Sequence, residues 1–421
     1  MRLSIVRNIL LIVLSMVCLG PLKAQPFYTH STHPRVKTLQ VIAEDDFERL
    51  PILGFEGTTT LAVSFDYLSD EQPLIDYTVI HCNAAWERDN LDELDYLESS
   101  FLPQHVETVT PSFNTFVQYA HYEVAFPNDQ VKPTVSGNYA VLFHLQDEPD
   151  SLLAVATFMV SEEQMIVSGS VSGNTDIDFN AMHQQLTLQI GWTKDVSPYL
   201  NPDTELKVLV QQNRRRDNQR WLDHPSRIES TQVYYEHQRQ LIFEAGNHWR
   251  RFEFTNHRYP GLGVDYIRYH APVYYAYLNR DEARPIANYR YDQDQNGRYL
   301  VHSLNVDDVD TEADYFMAMF SLDAPASVPG GGIYLVGDFT YQETDASTRM
   351  EYDLESGMYY KEVLLKAGAY NYQYLVPVRG GLTTSAIEGN HYETPNEYQI
   401  FIYYHPFASR YDRLLGVAVV R

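Results

Sequence analysis

Alternation of apolar and polar residues recurs along almost the whole chain, and this pattern constrains the fold more than any other feature. In TTTLAVSFDYL (58–68), every second residue from Leu61 to Phe65 is large and apolar, as in a half-buried strand. Similar segments follow at hairpin spacing, separated by turn residues such as Pro127-Asn128. No segment keeps an apolar period of 3.6 residues, and ERDNLDELDYL (87–97) is the one predicted short helix. The pattern predicts an all-β chain of tandem β-sandwiches.

The strands fall into three sets, which we take as three domains. A polar break at 161–164 ends the first set, and a new set begins near Asp314. The predicted divisions are 25–162 for an N-terminal β-sandwich, 163–310 for a middle β-sandwich and 311–421 for a C-terminal sandwich. A chain of 421 residues is long enough for two or three domains.

The first 24 residues have the pattern of a cleavable secretory signal peptide. Arg2 and Arg7 precede an apolar run (ILLIVLSMVCL, 9–19), and the segment ends on the small residue Ala24. The run is too short to span a membrane, which takes about 20 apolar residues. A lipoprotein acylated at Cys18 is the alternative, although Met16 and Val17 stand where small residues are expected. No later stretch approaches membrane length, so no direct membrane insertion is predicted.

The charge of the chain excludes one class of partner. Loss of residues 1–24 would reduce the 31 basic residues to 28 against 56 acidic ones, which gives a net charge of −28. Such a surface repels the phosphates of nucleic acid, so we predict no nucleic-acid binding.

Tyrosine is unusually frequent, at 33 of 421 residues. Aromatic pairs inside an all-β core are the preferred explanation, and exposed tyrosines that grip a partner or a sugar are the alternative. Only Cys82 remains after removal of the signal, so no intramolecular disulfide can form. We expect Cys82 to be a buried, inert thiol.

Candidate metal and phosphate motifs have simpler explanations. Residues 292–297 (DQDQNG) match the start of a calcium loop, but Ser303 stands at the twelfth position and Asn296-Gly297 is a strong hairpin signal. PGGGI, around Gly330–Gly332, precedes a strand, not a helix, and is interpreted as a loop. His30 and His33 lack further ligands at zinc spacing and are assigned to a mobile N-terminal tail. We predict neither a metal nor a cofactor.

No catalytic constellation is evident. His81 and Cys82 are neighbours on a predicted strand and should point to opposite faces, so they do not suggest a nucleophile and its base. A non-enzyme is predicted.

Arg214, Arg215 and Arg216 form the one dense basic cluster. A solvated hairpin tip neutralised by Asp217 and Asp223 is the simpler interpretation. The functional interpretation is that these arginines bind an acidic patch of a partner protein, because guanidinium groups pair with carboxylates in a bidentate manner.

Several longer strings resemble a known family. They fall in order along nearly the whole chain and include DYTVIHCNAAWERDNLDELDYL, FNTFVQYAHYEVAFPN, NPDTELKVLVQQNRRRDN, FEAGNHWRRFEF and EGNHYETPNEYQIFIYYHPFASRYDRLLG. In these strings the chain resembles the plug protein family of the bacterial type IX secretion system. Ala85 departs from the Asp that the family usually has before the Trp.

The resemblance implies a periplasmic protein at the inner side of the outer membrane. Its partner would be the translocon barrel of that membrane, whose periplasmic opening it would keep closed when no cargo passes. The family does not indicate which residues contact the barrel.

The third set of strands also resembles the immunoglobulin-like early-set domains that accompany glycogen- and starch-active enzymes. YLVGDF and the hairpin GMYYKEVLLKAGAYNYQYLV carry this likeness, but Thr340-Tyr341 stands where a sugar-stacking Trp is usual. An exported carbohydrate-binding or glycan-processing β-sandwich protein is therefore the alternative function, and an envelope scaffold with another protein partner is a third.

Overall fold

The computed structural model describes residues 26–98, 102–193, 196, 200–304, 306–326 and 328–421. Strands make up almost all of the regular structure in these ranges, which confirms the predicted all-β, tandem β-sandwich class. The predicted signal peptide (1–24) and Cys18 lie outside the described residues. None of the described helices is both long and apolar enough to cross a membrane.

The first sandwich contains ten strands and one helical turn. Its elements are β1 (His30–Ser31), β2 (Val36–Ala43), β3 (Ile52–Gly54), β4 (Leu61–Tyr67), β5 (Ile75–Cys82), α1 (Glu93–Tyr96), β6 (Gln104–His105), β7 (Thr108–Pro111), β8 (Ala120–Phe126), β9 (Gly137–Leu145) and β10 (Glu148–Ser161). One sheet has the order β1-β10-β9-β5-β6 with β3 on β10, and the other has the order β2-β4-β8-β7. Of the helix predicted over 87–97, only the turn α1 forms.

The rest of the chain forms two further sandwiches. The next strands are β11 (Met165–Ser172), β12 (His183–Trp192), β13 (Leu206–Gln212) after α2 (Pro202–Glu205), β14 (Gln219–Trp221), β15 (Arg227–Ile228), β16 (Gln232–Tyr235) and β17 (Ile242–Glu244). They are followed by β18 (Arg250–Phe254), β19 (Val264–His270), β20 (Val273–Leu278), β21 (Asp281–Glu282), β22 (Tyr299–Val301), α3 (Val309–Glu312), β23 (Tyr315–Asp323), β24 (Tyr334–Val336), β25 (Glu351–Asp353), β26 (Met358–Lys366), β27 (Gly368–Val378), β28 (Gly381–Thr383) and α4 (Ser385–Glu388). The chain ends with β29 (Tyr398–Tyr404) and β30 (Arg413–Val420).

The last hairpin returns to the middle sandwich. Strand β29 pairs with β13, so that Val208 lies opposite Ile402, and the sheet β14-β13-β29-β30 packs over the sheet of β11, β12, β15, β16 and β17. The third sandwich, inserted between β17 and β29, has the sheets β18-β27-β22 and β19-β20-β23-β26-β25. The strand pairing groups the strands differently from the predicted domain divisions at 163 and 311. As boundaries between folding units, those divisions stay predictions.

Buried polar contacts join the first sandwich to the third. Asp66, at the end of β4, is fully buried and accepts hydrogen bonds from Lys366 Nζ at 2.7 Å, Tyr315 Oη at 2.6 Å and His121 Nδ1 at 2.7 Å. Burial works to raise the pKa of Asp66, but Lys366 and the hydrogen bond from His121 outweigh it and hold that pKa below its ordinary value. Asp66 and Lys366 are therefore a buried ion pair.

Other contacts join the middle sandwich to both neighbours. Arg413 on β30 donates to Glu162, next to β10, with Nε at 2.8 Å from Oε1. Arg298, from the third sandwich, donates to Glu397 Oε2 at 2.5 Å, just before β29. The hydroxyl of Thr383 on β28 donates to Glu244 on β17 at 2.6 Å. Contacts between charged or polar side chains thus join each sandwich to the other two.

We predict that Lys366→Met destabilises the protein by about 3–5 kcal/mol, because it leaves the carboxylate of Asp66 buried without its cation. Denaturant unfolding followed by circular dichroism measures this loss. Lys361→Met, on the same strand but at a partly exposed position, is the matched control and should change stability by at most about 0.5 kcal/mol. Equal stability of Lys366→Met and the parent would show that the ion pair does not hold the sandwiches together.

Candidate functional site

The acidic side chains of the loop at 292–297 form hydrogen bonds and ion pairs with other residues of the protein. Asp294 Oδ2 accepts from Trp249 N at 2.8 Å and lies 3.1 Å from His248 Nδ1, and Asp292 pairs with Arg251 at 2.6 Å. Within the described ranges, no three His, Cys, Asp or Glu side chains are grouped so that they could hold a metal ion.

The turn at the end of that loop forms as the sequence indicates. Asn296 and Gly297 have φ angles of 50° and 88°, and a Cβ on Gly297 would lie 2.7 Å from Trp249 Cη2. The hairpin that this signal predicts does not form, because residues 286–295 before the turn form no strand.

His81 and Cys82 are both buried but have separate surroundings. The Nδ1 atom of His81 faces the carboxylate of Asp89, and its Nε2 atom lies 3.1 Å from Ser136 O. Cys82 packs in a small apolar cluster with Ile80, and burial raises the pKa of its thiol to about 12. The structure confirms that the thiol is buried, and its inertness stays a prediction.

The mobile tail predicted around His30 and His33 is wrong. Strand β1 pairs with β10, with His30 opposite Val155, and the ring of His33 stacks on Tyr67 at 5.9 Å. Phe27 N also donates to Trp86 O at 2.8 Å. An edge position on the large sheet supplies backbone partners that the polar sequence of this segment does not reveal.

The three arginines predicted to bind a partner lie where the three sandwiches meet, not at a solvated hairpin tip. Arg215 is 6% exposed and is held by Asp217, with Nη2 at 2.5 Å from Oδ2. Arg214 donates through Nη2 to Glu48 O of the first sandwich. Arg216 Nη2 donates to Tyr341 O of the third sandwich at 2.5 Å. Their role in binding a partner stays a prediction.

A cavity of about 250 Å³ opens at this meeting point, and we call it the junction cavity. All three sandwiches line it with large side chains. The first contributes Tyr28, Leu39, Trp86 and Met159, the middle one Leu209, Arg214, Arg216, Phe401 and Tyr403, and the third Arg298, Tyr299, Asp338 and Tyr341. Tyr28 is half-buried, so the cavity reaches solvent beside it.

The electrostatics of the junction cavity are unusual for so acidic a chain. Three guanidinium groups line it, and Asp338 is the one carboxylate among its lining residues. Burial, and then repulsion from Arg298, lower the pKa of Arg214 to about 10. Burial also raises the pKa of Asp338, against the opposing effect of Arg214. Two of the three arginines also pair with carboxylates outside the lining, Arg298 with Glu397 at 2.5 Å and Arg216 with Glu343 at 3.2 Å.

A second candidate is the outer face of the sheet that begins with β19, which we call the outer face. Tyr266 and Tyr277 lie opposite each other on β19 and β20, and their rings stack at 4.4 Å. Tyr275 and Tyr277 are paired in register with Met317 and Met319 on β23, so these four side chains share one side of the sheet. All five side chains, Tyr266 included, are partly or largely exposed.

Cationic and imidazole groups flank the outer face. The guanidinium of Arg268 lies 5.1 Å from the ring centre of Tyr266, and His270 contacts Tyr275 at 5.0 Å between ring centres. Strand β19 is the last strand of its sheet, so its free edge can receive another strand. Tyrosine, methionine and arginine are the residue types enriched in protein interfaces.

The sequence analysis did not identify β19. Its letters, VDYIRYH, place charged residues between aromatic ones, so its apolar alternation is weak. The tyrosine pairs across the Ala271-Pro272 turn were the signal that could have revealed the hairpin, because aromatic pairs stabilise adjacent strands.

Comparisons with known proteins identify a family and similar solved structures. A protein-family model described as "Type 9 secretion system plug protein 1st domain" matches residues 36–162, from β2 through β10. The chain is also similar to a hypothetical protein from Parabacteroides merdae ATCC 43184, solved by crystallography at 2.30 Å resolution. The two are 40% identical with a TM-score of 0.91, over 94% of this chain and 100% of that one. No curated protein matches the chain at a significant level.

We predict that Cys82 does not react with a thiol reagent in the native protein, because its side chain is fully buried and its pKa is about 12. Titration of residues 25–421 with Ellman's reagent at pH 8 should release no colour until denaturant is added. Ser170→Cys, at an exposed position on β11, is the control and should give one rapidly reacting thiol. Rapid labelling of the parent would contradict the described packing of β5.

Proposed function

The chain belongs to the type IX secretion system plug family, and we propose that it is a non-catalytic plug that binds the outer-membrane translocon barrel and closes its periplasmic opening. The match of the plug domain to residues 36–162 is the observation that carries this proposal. Family membership ties the chain to the secretion system and to the cell envelope. The barrel as partner, the periplasmic location at the inner side of the outer membrane and the sealing action belong to the proposal.

The way the sandwiches are joined supports this role. A plug must resist deformation, and side-chain contacts connect each of the three sandwiches to the other two. A shared apolar cluster adds to the joint between the first and middle sandwiches, with Met159 packed among Leu209, Phe401 and Tyr403. Such a body can cover an opening without a disulfide.

We propose that the outer face is the surface that contacts the barrel. Tyr266, Tyr275 and Tyr277 provide aromatic anchors of the kind that dominate binding energy at protein interfaces. The free edge of β19 lies beside them and could pair with a strand of the barrel protein. Arg268 and His270 would form the polar border of the contact.

The glycan-binding alternative uses the same tyrosines, since exposed aromatic rings also stack on sugars. Two assays separate the functions. Affinity electrophoresis in polysaccharide gels should leave a plug protein unretarded, whereas a glycan-binding protein is slowed. Recovery of a partner from the envelope tests the plug directly.

We predict that the tagged protein, isolated from detergent-solubilised outer membranes of its own bacterium, recovers a very large barrel protein. Tyr266→Ala/Tyr275→Ala should reduce that recovery at least tenfold, because anchor tyrosines contribute about 2 kcal/mol or more. Quantitative mass spectrometry of the recovered material gives the ratio. Tyr291→Ala, at an exposed tyrosine away from the outer face, is the matched control and should recover the barrel normally.

The outcomes separate the two parts of the proposal. If an intact bait recovers no barrel protein, the plug function is wrong. If the double variant recovers as much barrel as the parent, the function stands and the outer face is not the contact surface.

A further inference from the structure

We propose that the junction cavity is a binding site for a small amphiphilic anion, an alkyl carboxylate or alkyl phosphate whose head group contacts Arg216 and Arg298. This inference goes beyond the proposed plug function and does not depend on it. It rests on guanidinium N–H groups in the cavity wall that lack acceptors, on the charges around them and on the apolar remainder of the wall.

Arg298 is the most deeply placed of these groups, at 4% exposure. Its Nη2 atom donates to Glu397 Oε2 at 2.5 Å and its Nη1 atom to Gln295 O at 3.1 Å. Its Nε atom has no hydrogen-bond partner among the described residues. Because a buried donor without an acceptor is unfavourable, this N–H group is expected to bind a ligand or a water molecule.

Two more arginines present the same situation. Arg216 Nη1 and Arg214 Nε are buried and have no partner in the described part of the chain. The guanidinium carbon of Arg216 also lies 4.1 Å from the ring centre of Tyr28, at the side where the cavity reaches solvent. Three donor groups from two sandwiches therefore surround one cavity.

Among the lining residues the charges favour an anion, while Glu397 and Glu343 pair with Arg298 and Arg216 from outside the lining. The single lining carboxylate, Asp338, already accepts a hydrogen bond from Gln342 at 3.0 Å. Arg298 acts to lower the pKa of Arg214, which means that the two cations repel each other. A carboxylate or phosphate would reduce that repulsion and accept from the free N–H groups, and Arg is the residue best suited to both.

The other residues that line the cavity indicate what the part of the ligand beyond its anionic head group should be. Most of this remaining wall is apolar, with Leu39, Leu50, Trp86, Met159 and Leu209 among its residues, and its uncharged polar side chains are those of Thr29, Gln40, Thr157, Gln211, Gln219 and Gln342, with tyrosine hydroxyls besides. At about 250 Å³ the cavity falls just below the range of roughly 300–1,000 Å³ typical of sites for drug-sized ligands. A short alkyl chain with one anionic head group matches both the size and the division between apolar and cationic walls.

Binding here would act on the whole molecule. The lining residues come from all three sandwiches, so an occupant would contact each of them at once. A ligand that binds only the folded state raises the unfolding temperature in proportion to the logarithm of its concentration. Thermal stability is therefore a direct readout.

The test uses residues 25–421, with octanoate and octyl phosphate as probes and 1-octanol and octylammonium as the neutral and cationic analogues. Isothermal titration calorimetry should show one site for each anion and none for the analogues, and each anion should raise the unfolding temperature. Arg216→Gln should weaken binding at least tenfold. Arg220→Gln, at a nearby arginine that does not line the cavity, should leave binding unchanged.

A crystal structure with 8-bromooctanoate locates the site without any variant, since the anomalous signal of bromine should lie in the junction cavity. The proposal is overturned if neither anion binds, which would leave water as the occupant. It is also overturned if octanol binds as tightly as octanoate, if Arg216→Gln binds like the parent, or if bromine lies elsewhere.

Discussion

The buried ion pair between Asp66 and Lys366 is the contact on which the arrangement of the sandwiches depends. These residues are 300 positions apart, and both are almost fully buried between the first and third sandwiches. An ion pair in such a place is costly unless further hydrogen bonds satisfy both charges, and here Tyr315, His121 and Asp310 O supply them. The middle sandwich is joined to the first by Arg413 and Glu162 and to the third by Glu397 and Arg298. The junction cavity is the space left between the three bodies once these contacts form.

The abundance of tyrosine is also connected with the contacts between the sandwiches. Among the described residues 16 of the 33 tyrosines are buried and four are largely exposed, which favours the preferred explanation of aromatic pairs in the core. Their hydroxyl groups reach across sandwich boundaries, as when Tyr119 donates to Ala313 O at 2.8 Å and Tyr403 to Asn138 Oδ1 at 2.9 Å. A phenylalanine would fill the same volume but could not satisfy these polar groups. The tyrosines of the outer face are a separate, smaller group.

Local pattern predicted most of the local structure, and its largest failures concern partners distant in sequence. The alternation at 58–68 identified β4, and turn chemistry identified the Asn296-Gly297 turn. The return of β29 and β30 to the middle sandwich could not be predicted, because nothing in their residues distinguishes a strand that pairs with β13 from one that pairs with β27. The arginine cluster at 214–216 was noticed, but its burial depends on Glu48 and Tyr341, more than 120 positions away. The outer face was missed because β19 carries charges on the exposed side of its hairpin.

The distribution of charge explains how such a protein can recognise a partner. Three basic residues, Lys366, Arg215 and Arg298, are buried in ion pairs with acidic partners, and because each pair is neutral the net charge of −25 is left to the remaining groups. A uniformly acidic surface does not favour one orientation of a partner protein over another, because it repels negative charges on that partner equally on all sides. Specific contact must then come from a surface where aromatic area replaces charge. The outer face, with three tyrosines, two methionines and Arg268, is such a surface.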